Sequence, residues 1–274
     1  MEPKIPIICI IGPTGSGKSS YAVTLAKERD GEVISVDSRQ VYKTLDIGTE
    51  KITDKEMQGV PHHLIDIREP EETYSAGDFV QDASRLIENI HARGKLPILA
   101  GGTHFYFDAL INGLPYSTPI NPGFRKTLDI LTNEELYARI KEKDPKRANT
   151  IERNNRRRLV RALEIIEQHG HVPERVSHET YEVTWMPLLP SKDELRARLA
   201  TRLTETFAHG LIDEVKRVRE RVGDARLNEL GLEYRVVGEY LRGEREESTL
   251  YNALLSKLYQ YARRQEAWIQ KLVG

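Results

Sequence analysis

The sequence predicts an α/β fold, a parallel β-sheet flanked by helices and interrupted by a helical insertion. Three observations carry that reading. Short apolar, β-branched runs alternate with helical patterns through roughly the first 115 residues, as strands joined by helical crossovers do. From Phe124 to about Gly170 only short helical patterns occur. An apolar run at about Val183–Leu188 then returns the chain to a strand, with long helical stretches after it. Residues 1–116 and 181–274 are expected to form a core domain, and 117–180 a helical insertion domain.

The elements follow in order. Ile5–Ile11, IPIICII, is continuously apolar, as a strand buried on both faces is. Lys18–Arg29 is the helix after it, ended near Gly31. Glu32–Val36 is a second strand, closing on Asp37 and Ser38; His63–Ile67, within HHLIDI, is a third. Ser75 with Asp78 three residues on opens a long helix that runs to Arg93 and stops at Gly94. Leu96–Ala100 is a fourth strand running into Gly101-Gly102-Thr103, and Thr103–Ile111 is helical. PYSTPINPG, 115–123, is a turn-rich linker. In the insertion, TNEE at Thr132–Glu135 is a capping box, Pro145 suits a first helical turn, and Asn155–Gln168 makes another helix. Beyond the fifth strand, SKDE at Ser191–Glu194 caps a helix to about Arg221, and Glu229–Arg242 and Ser248–Leu272 complete the chain.

Composition narrows the function. Lys+Arg 41 against Asp+Glu 42 gives a net charge of −1, which excludes a wholly basic nucleic-acid binder but allows a local basic patch. No apolar run approaches the ~20 residues that span a bilayer, and the N-terminal apolar run leads into a Gly-rich loop rather than a cleavage site. A single Cys9 makes no internal disulfide, so the cytoplasm is the expected compartment.

Residues 12–19 read GPTGSGKS, between a strand and a helix. That is a P-loop, and the sheet is expected to be P-loop NTPase-like. Its Gly12, Thr14, Gly15, Ser16 and Gly17 would wrap an anion in backbone N–H groups, Lys18 would add a charge, and Ser19 could ligate Mg²⁺. Which molecule carries the phosphates is not written in the loop. Asp37, at the end of the second strand, faces the mouth of the P-loop, where a carboxylate either holds Mg²⁺ or accepts a proton; a cap on the following turn is the plainer alternative. Ser38, Arg39 and Gln40 follow with three hydrogen-bonding side chains. Gly101 and Gly102 let backbone pass close to a ligand, and Thr103 offers a hydroxyl at a helix start. No acid ends that strand; Asp66 could serve a metal instead. All three strand ends meet at the carboxyl edge of a parallel sheet, where such folds bind ligands.

Lys146–Arg161, KRANTIERNNRRRLVR, holds seven Lys/Arg against one acid, Glu152. Leu159, Ala162, Leu163 and Ile166 share one helical face; Arg157 and Arg161 project from the opposite one with Arg158 on its flank. A solvated face is the ordinary reading of such charge. Concentrated in an insertion of a near-neutral chain, it suits a nucleic-acid backbone or a lid over phosphates. In the last helix Gln265 interrupts an apolar stripe from Tyr251 to Leu272, either as a satisfied buried amide or as a polar group reaching the site beside Arg263 and Arg264.

Taken together, GPTGSGKS, VISVDSRQVYKTLDIGTEK, GVPHHLIDI, YSAGDFVQDA, PILAGGTHFYFDALING, RRRLVRALEI and ARRQEAWI resemble the tRNA dimethylallyltransferases, also called tRNA isopentenyltransferases. The P-loop is shared by many families; VDSRQVY with DIGT, and GGTxxY, are far more specific. The resemblance implies transfer of a dimethylallyl group from dimethylallyl diphosphate to the exocyclic amine of the adenosine 3′ of a tRNA anticodon. It implies that Thr14–Ser19 hold the diphosphate, with Mg²⁺ between diphosphate and Ser19, that Asp37 takes the amine proton, and that Thr103 bonds near the amine. It further implies tRNA contacts from Asp37, Ser38, Arg39, Gln40, Thr103, Arg125, Arg157, Arg158 and Arg161, gripping the anticodon stem-loop. The chain departs from the pattern in two places: HGHVPERVSHETYEV lacks room for an additional amphipathic segment, and LNELGLEYRVVGEYL replaces an IGYxE-like run. A monomer is expected. The alternatives are a small-molecule P-loop kinase using ATP, with the arginines as a lid, and the same transfer to a free adenine nucleotide, which needs no basic insertion.

Overall fold

The computed structural model describes residues 3–114, 121–173 and 180–273. In chain order the elements are β1 (Ile5–Ile11), α1 (Lys18–Glu28), β2 (Gly31–Val36), α2 (Asp54–Met57), β3 (His62–His63), α3 (Ala76–Ala92), β4 (Leu96–Gly101), α4 (His104–Asn112), α5 (Pro122–Asp129), α6 (Asn133–Lys143), α7 (Pro145–Ala148), α8 (Arg156–His169), β5 (Tyr181–Pro187), α9 (Lys192–Ala208), α10 (Leu211–Leu227), α11 (Leu232–Leu241) and α12 (Glu247–Val273). The chain separates into two compact units, one of Met1–Leu110 with Glu179–Gly274, the other Ile111–His178. The sequence reading sets its boundaries at 116/117 and 180/181; residues 115–120 of its linker, and 174–179 of the segment before β5, lie outside the described residues.

The first unit is built on a five-stranded sheet in the order β3-β2-β4-β1-β5, every pair parallel. Continuous apolar runs form its middle because both faces are covered; β2 is buried at every position. The register brings the carboxyl ends together: Gly101 of β4 stands opposite Ile11 of β1 on one side and Val36 of β2 on the other. A Cβ at Gly101 would collide with the Val36 carbonyl, so only glycine lets these two strand ends close up. Behind α1, Ala22, Val23, Leu25 and Ala26 pack with Ile10, Val33 and Ile98 in one cluster.

Two elements differ from the sequence reading. The third strand is only His62–His63. Leu64 and Asp66 take left-handed φ of 62° and 55°, which ends the ladder. The backbone N–H groups of Asp66 and Ile67 bond instead to the Gln40 and Val41 carbonyls, clamping this segment to the turn after β2. The helix expected from Ser191 to Arg221 is two, α9 and α10, parted at Gly210 with φ 94°. A second break, at Gly223, follows in α10. Ser191 forms the expected capping box with Glu194, as Ser75 does with Asp78.

The second unit packs α5, α6, α7 and α8 around Leu128, Leu136, Ile140, Leu159 and Leu163. Asp144 braces it twice: one carboxylate oxygen caps α7 at the Arg147 N–H, the other accepts from the Val172 N–H at 2.8 Å.

Candidate active site

The loop between β1 and α1 is shaped by two left-handed glycines, Gly15 (φ 82°) and Gly17 (φ 88°). Gly17 leads into α1 with no side-chain cap, so the first amides of the helix are left for an anion. Lys18 folds over the loop, donating to the Pro13 carbonyl at 2.7 Å and to Ser16 Oγ at 3.4 Å. Burial, aided by the neighbouring Arg202 charge and opposed by Asp37, pulls its ammonium down to about 7.

Asp37 and Thr103 meet as the strand ends require. Asp37 Oδ1 accepts from the N–H groups of Arg39 (2.8 Å) and Gln40 (3.3 Å), so the capping role is real. Thr103 Oγ1 accepts from the Ser38 N–H at 3.1 Å, and the Thr103 N–H bonds to the Val36 carbonyl at 3.1 Å. The turn after β2 and the turn after β4 are thus one hydrogen-bonded unit. Gln40 is turned inward: its amide oxygen accepts from Ser35 Oγ, and its NH₂ donates to the Thr49 and Glu50 carbonyls. These bonds brace the loop that follows.

That loop, residues 45–51, has its own anchor. The buried Glu214 carboxylate, 3% exposed, accepts from the N–H groups of Asp46 (3.0 Å), Ile47 (2.8 Å) and Gly48 (2.9 Å) and from the Tyr234 hydroxyl (2.7 Å). Lys51 finishes the loop by reaching the Tyr42 carbonyl, Asp46 and Asp66. Asp66 is therefore an ion-pair partner of a lysine.

The sequence reading found the helix that begins at Ser191 but not its place at the site. Arg198 donates to the Ser16 carbonyl at 3.3 Å, and Arg202 reaches Gly15 and contacts Glu50. Their i, i+4 spacing behind the SKDE cap was the available signal. Burial pulls the Arg202 guanidinium down to about 10, with Glu233 and Glu205 opposing. Glu233, held near Arg202 and Asp37, is raised to about 7, first by burial. Gln265 resolves both of its sequence readings at once. It is buried, its oxygen accepts from the Thr14 N–H at 2.9 Å, and its NH₂ donates to the Gly102 carbonyl at 2.9 Å. The last helix thereby ties the P-loop to the turn after β4. His104, lowered to about 4 by burial and then by Lys18, is neutral; its Nε2–H donates to the Gln265 carbonyl at 3.3 Å.

The second unit carries the basic residues. Arg125 and Arg161 are both held by the buried Glu164, Arg125 through two bonds of 2.6 and 3.0 Å and Arg161 at 3.2 Å. Arg158 pairs with Glu152 at 3.2 Å. Arg157 and Arg158 are exposed. Arg156, unremarked in the sequence reading, turns back to bond the Leu128, Asp129 and Leu131 carbonyls and so closes α5.

Among the described residues no cluster of three His, Cys, Asp or Glu could hold a metal. A magnesium ion carried mainly by diphosphate oxygens needs none: one hydroxyl such as Ser19, with waters, completes its shell. No helix among the described residues is long and apolar enough to cross a membrane.

Residues 40–272 match the family model of the IPP transferases. The chain is 38% identical over 282 residues, 99% of itself and 85% of the relative, to the tRNA dimethylallyltransferase of Thermomicrobium roseum. It is 40% identical to that of Roseiflexus castenholzii over 98% of itself and 90% of the relative. Among solved structures it is similar to the full-length tRNA isopentenylpyrophosphate transferase of Bacillus halodurans, with a TM-score of 0.74 at 37% identity, covering 97% of this chain and 87% of that one. It is also similar to a eukaryotic dimethylallyltransferase acting on tRNA, with a TM-score of 0.85 at 30% identity, covering 97% and 70%.

Proposed function

The chain belongs to the IPP transferase family, and from that premise we infer that it is a tRNA dimethylallyltransferase. The observation that carries this reading is the meeting of an anion loop, Asp37 and Thr103 at one sheet edge, with Arg198 and Arg202 closing on the loop. A kinase reading does not account for Asp37 and Thr103 as well, and the relatives and structural neighbours are transferases acting on tRNA.

The donor is dimethylallyl diphosphate and the acceptor the exocyclic amine of the adenosine 3′ of the anticodon. The amine lone pair attacks the allylic CH₂, the C–O bond to diphosphate breaks with its electron pair, and diphosphate leaves. An adenine amine is a poor nucleophile, so the leaving group must be stabilised first. Lys18, Arg202 and the N–H groups of Gly12, Gly15, Gly17 and Ser19 would surround the developing charge, the Thr14 N–H being given to Gln265 and the Ser16 N–H to the Pro13 carbonyl. Mg²⁺, held by Ser19 and the diphosphate, would neutralise part of that charge. Asp37 takes the amine proton; a weak base suffices because the amine acidifies only as the new C–N bond forms. Thr103 stands on the Ser38 N–H and positions the amine. Reaching a sheet edge requires the adenosine to leave its stack.

The tRNA contacts assigned to the core are Asp37, Ser38, Arg39, Gln40 and Thr103. Those assigned to the second unit are Arg125, Arg157, Arg158 and Arg161, which would meet the backbone of the anticodon stem-loop. We propose further that the protein acts as a monomer in the cytoplasm, where its tRNA acceptor is found. Radiolabelled dimethylallyl diphosphate, Mg²⁺ and unmodified tRNA test the assignment: label should enter the RNA. Phosphate transfer or ATP hydrolysis with no label in RNA would return the kinase reading.

A further inference from the structure

LNELGLEYRVVGEYL, the run that departs from the IGYxE-like pattern, ends α10, turns, and forms all of α11. The first turn of α11 is fixed in place. Tyr234 is fully buried and donates to Glu214 at 2.7 Å, and its ring lies so close to Gly48 that a Cβ there would sit 2.9 Å from it. Glu233, one residue earlier, is thereby set at the phosphate site. It is half-buried, beside Arg202 of α9, and faces Asp37 and Arg39 of the turn after β2. The Tyr261 hydroxyl of α12 and the adjacent Tyr234 also feel its charge.

Arg202 has carboxylates around it. Glu50 contacts it directly, and the charges of Glu233 and Glu205 reach it. Toward the phosphate loop it approaches Gly15, where Arg198 and Lys18 also converge. Three cations around one loop repel one another until an anion arrives, and Arg202 already helps to lower the Lys18 ammonium. The carboxylates offset that repulsion. A bound diphosphate reverses the balance, because its charge draws Arg202 away and repels its former partners. Glu233 is the partner able to give up its charge: burial raises it to about 7 even with Arg202 beside it, and Asp37 pushes in the same direction.

We propose that Glu233 is a positioning residue for Arg202, a built-in counter-ion that holds the guanidinium beside the phosphate loop until a diphosphate displaces it. The displaced carboxylate, left beside Asp37 and the incoming anion, takes up a proton from solvent. The proposal rests on the loop binding the donor's diphosphate.

Calorimetric titration of wild type and Glu233→Gln with inorganic diphosphate and Mg²⁺ tests it, in paired buffers of different ionisation enthalpy. At about pH 7.5 wild type should take up roughly half a proton more than the variant. Diphosphate and Lys18 are common to both proteins, so the difference reports Glu233. The amide mimics the protonated acid. The variant should therefore bind about fivefold tighter than wild type at about pH 8 and equally at about pH 6, as a group whose pKa rises on binding requires. In an Arg202→Ala background, where no guanidinium holds the carboxylate, Glu233→Gln should have little effect on either quantity. Equal proton counts in wild type and variant, or weaker binding by the variant at both pH values, overturns the counter-ion and leaves Glu233 a support of α11. If wild type binds diphosphate and the variant matches it throughout, the counter-ion alone fails. If wild type does not bind diphosphate, the donor assignment fails and the counter-ion with it.

Discussion

At the residue scale, the side chains proposed to do the chemistry are tethered by backbone groups of neighbouring turns. Asp37 keeps one oxygen on two amides and has the other to act with. Asp37→Ala is expected to lower single-turnover label transfer by ~10²–10⁴-fold, the usual worth of a positioned base, while filter binding of tRNA changes little; near-normal turnover would remove it from the role. That Asp37, Lys18 and Thr103 gather at one sheet edge was legible because each sits in a short motif at a strand end. Arg198 and Arg202 were not. They are two arginines four apart on a helix with no motif, and the packing of α9 against the P-loop is what gives that spacing its meaning. Arg202→Ala should cost about 10²-fold in kcat if it steadies the leaving diphosphate, measured at saturating tRNA. Gln265 shows the opposite limit. Its polarity within an apolar stripe marked it as odd, yet its two partners lie 251 and 163 positions away, beyond any local pattern.

At the scale of elements, strands and capped helices were read closely because period and caps are local signals. The third strand and the long helix after β5 were misjudged for one reason. Left-handed backbone at Leu64, Asp66 and Gly210 interrupts both patterns; at Asp66 a bond to the distant Gln40 carbonyl accompanies it, and of the three only the glycine advertises it. The 45–51 loop was recognised as a motif without a reason for its shape; Glu214 supplies one. Glu214→Gln keeps the volume but puts an NH₂ where one oxygen accepts, facing either the Asp46 and Ile47 amides or the Gly48 amide and the Tyr234 hydroxyl. A loss of about 2 kcal/mol is expected, read from the urea midpoint. Because the loop also receives Gln40 and carries Glu50 against Arg202, kcat should fall further than stem-loop affinity does.

For the whole molecule, charge neutrality hides strong local pairing. Glu32, 3% exposed at the amino end of β2, accepts two bonds from Arg93 and one from His63. Those bonds, Arg93's first, hold it down at about 2 against burial. Its folded pKa lies below its unfolded one, so the stabilisation is complete above about 4.5 and is lost as pH falls toward 2. On the order of 3 kcal/mol should disappear across that window. Glu32→Gln should flatten that part of the stability–pH curve, measured by urea denaturation at stepped pH; an unchanged curve would mean other carboxylates govern acid unfolding. The sheet and the presence of an all-helical segment were visible in the sequence. The sharing of Glu164 between Arg125 and Arg161 was not, since a run of arginines does not say which are already committed.

The bond from the Thr14 N–H to Gln265 has a consequence for biosynthesis. The phosphate loop is made well before the residue, 251 positions further on, that holds its Thr14 N–H. Nascent chains arrested before residue 265 has emerged should bind diphosphate poorly, and should gain that binding on release. The order of synthesis and the order of assembly of this loop are therefore different, and the docking of α12 is the later event.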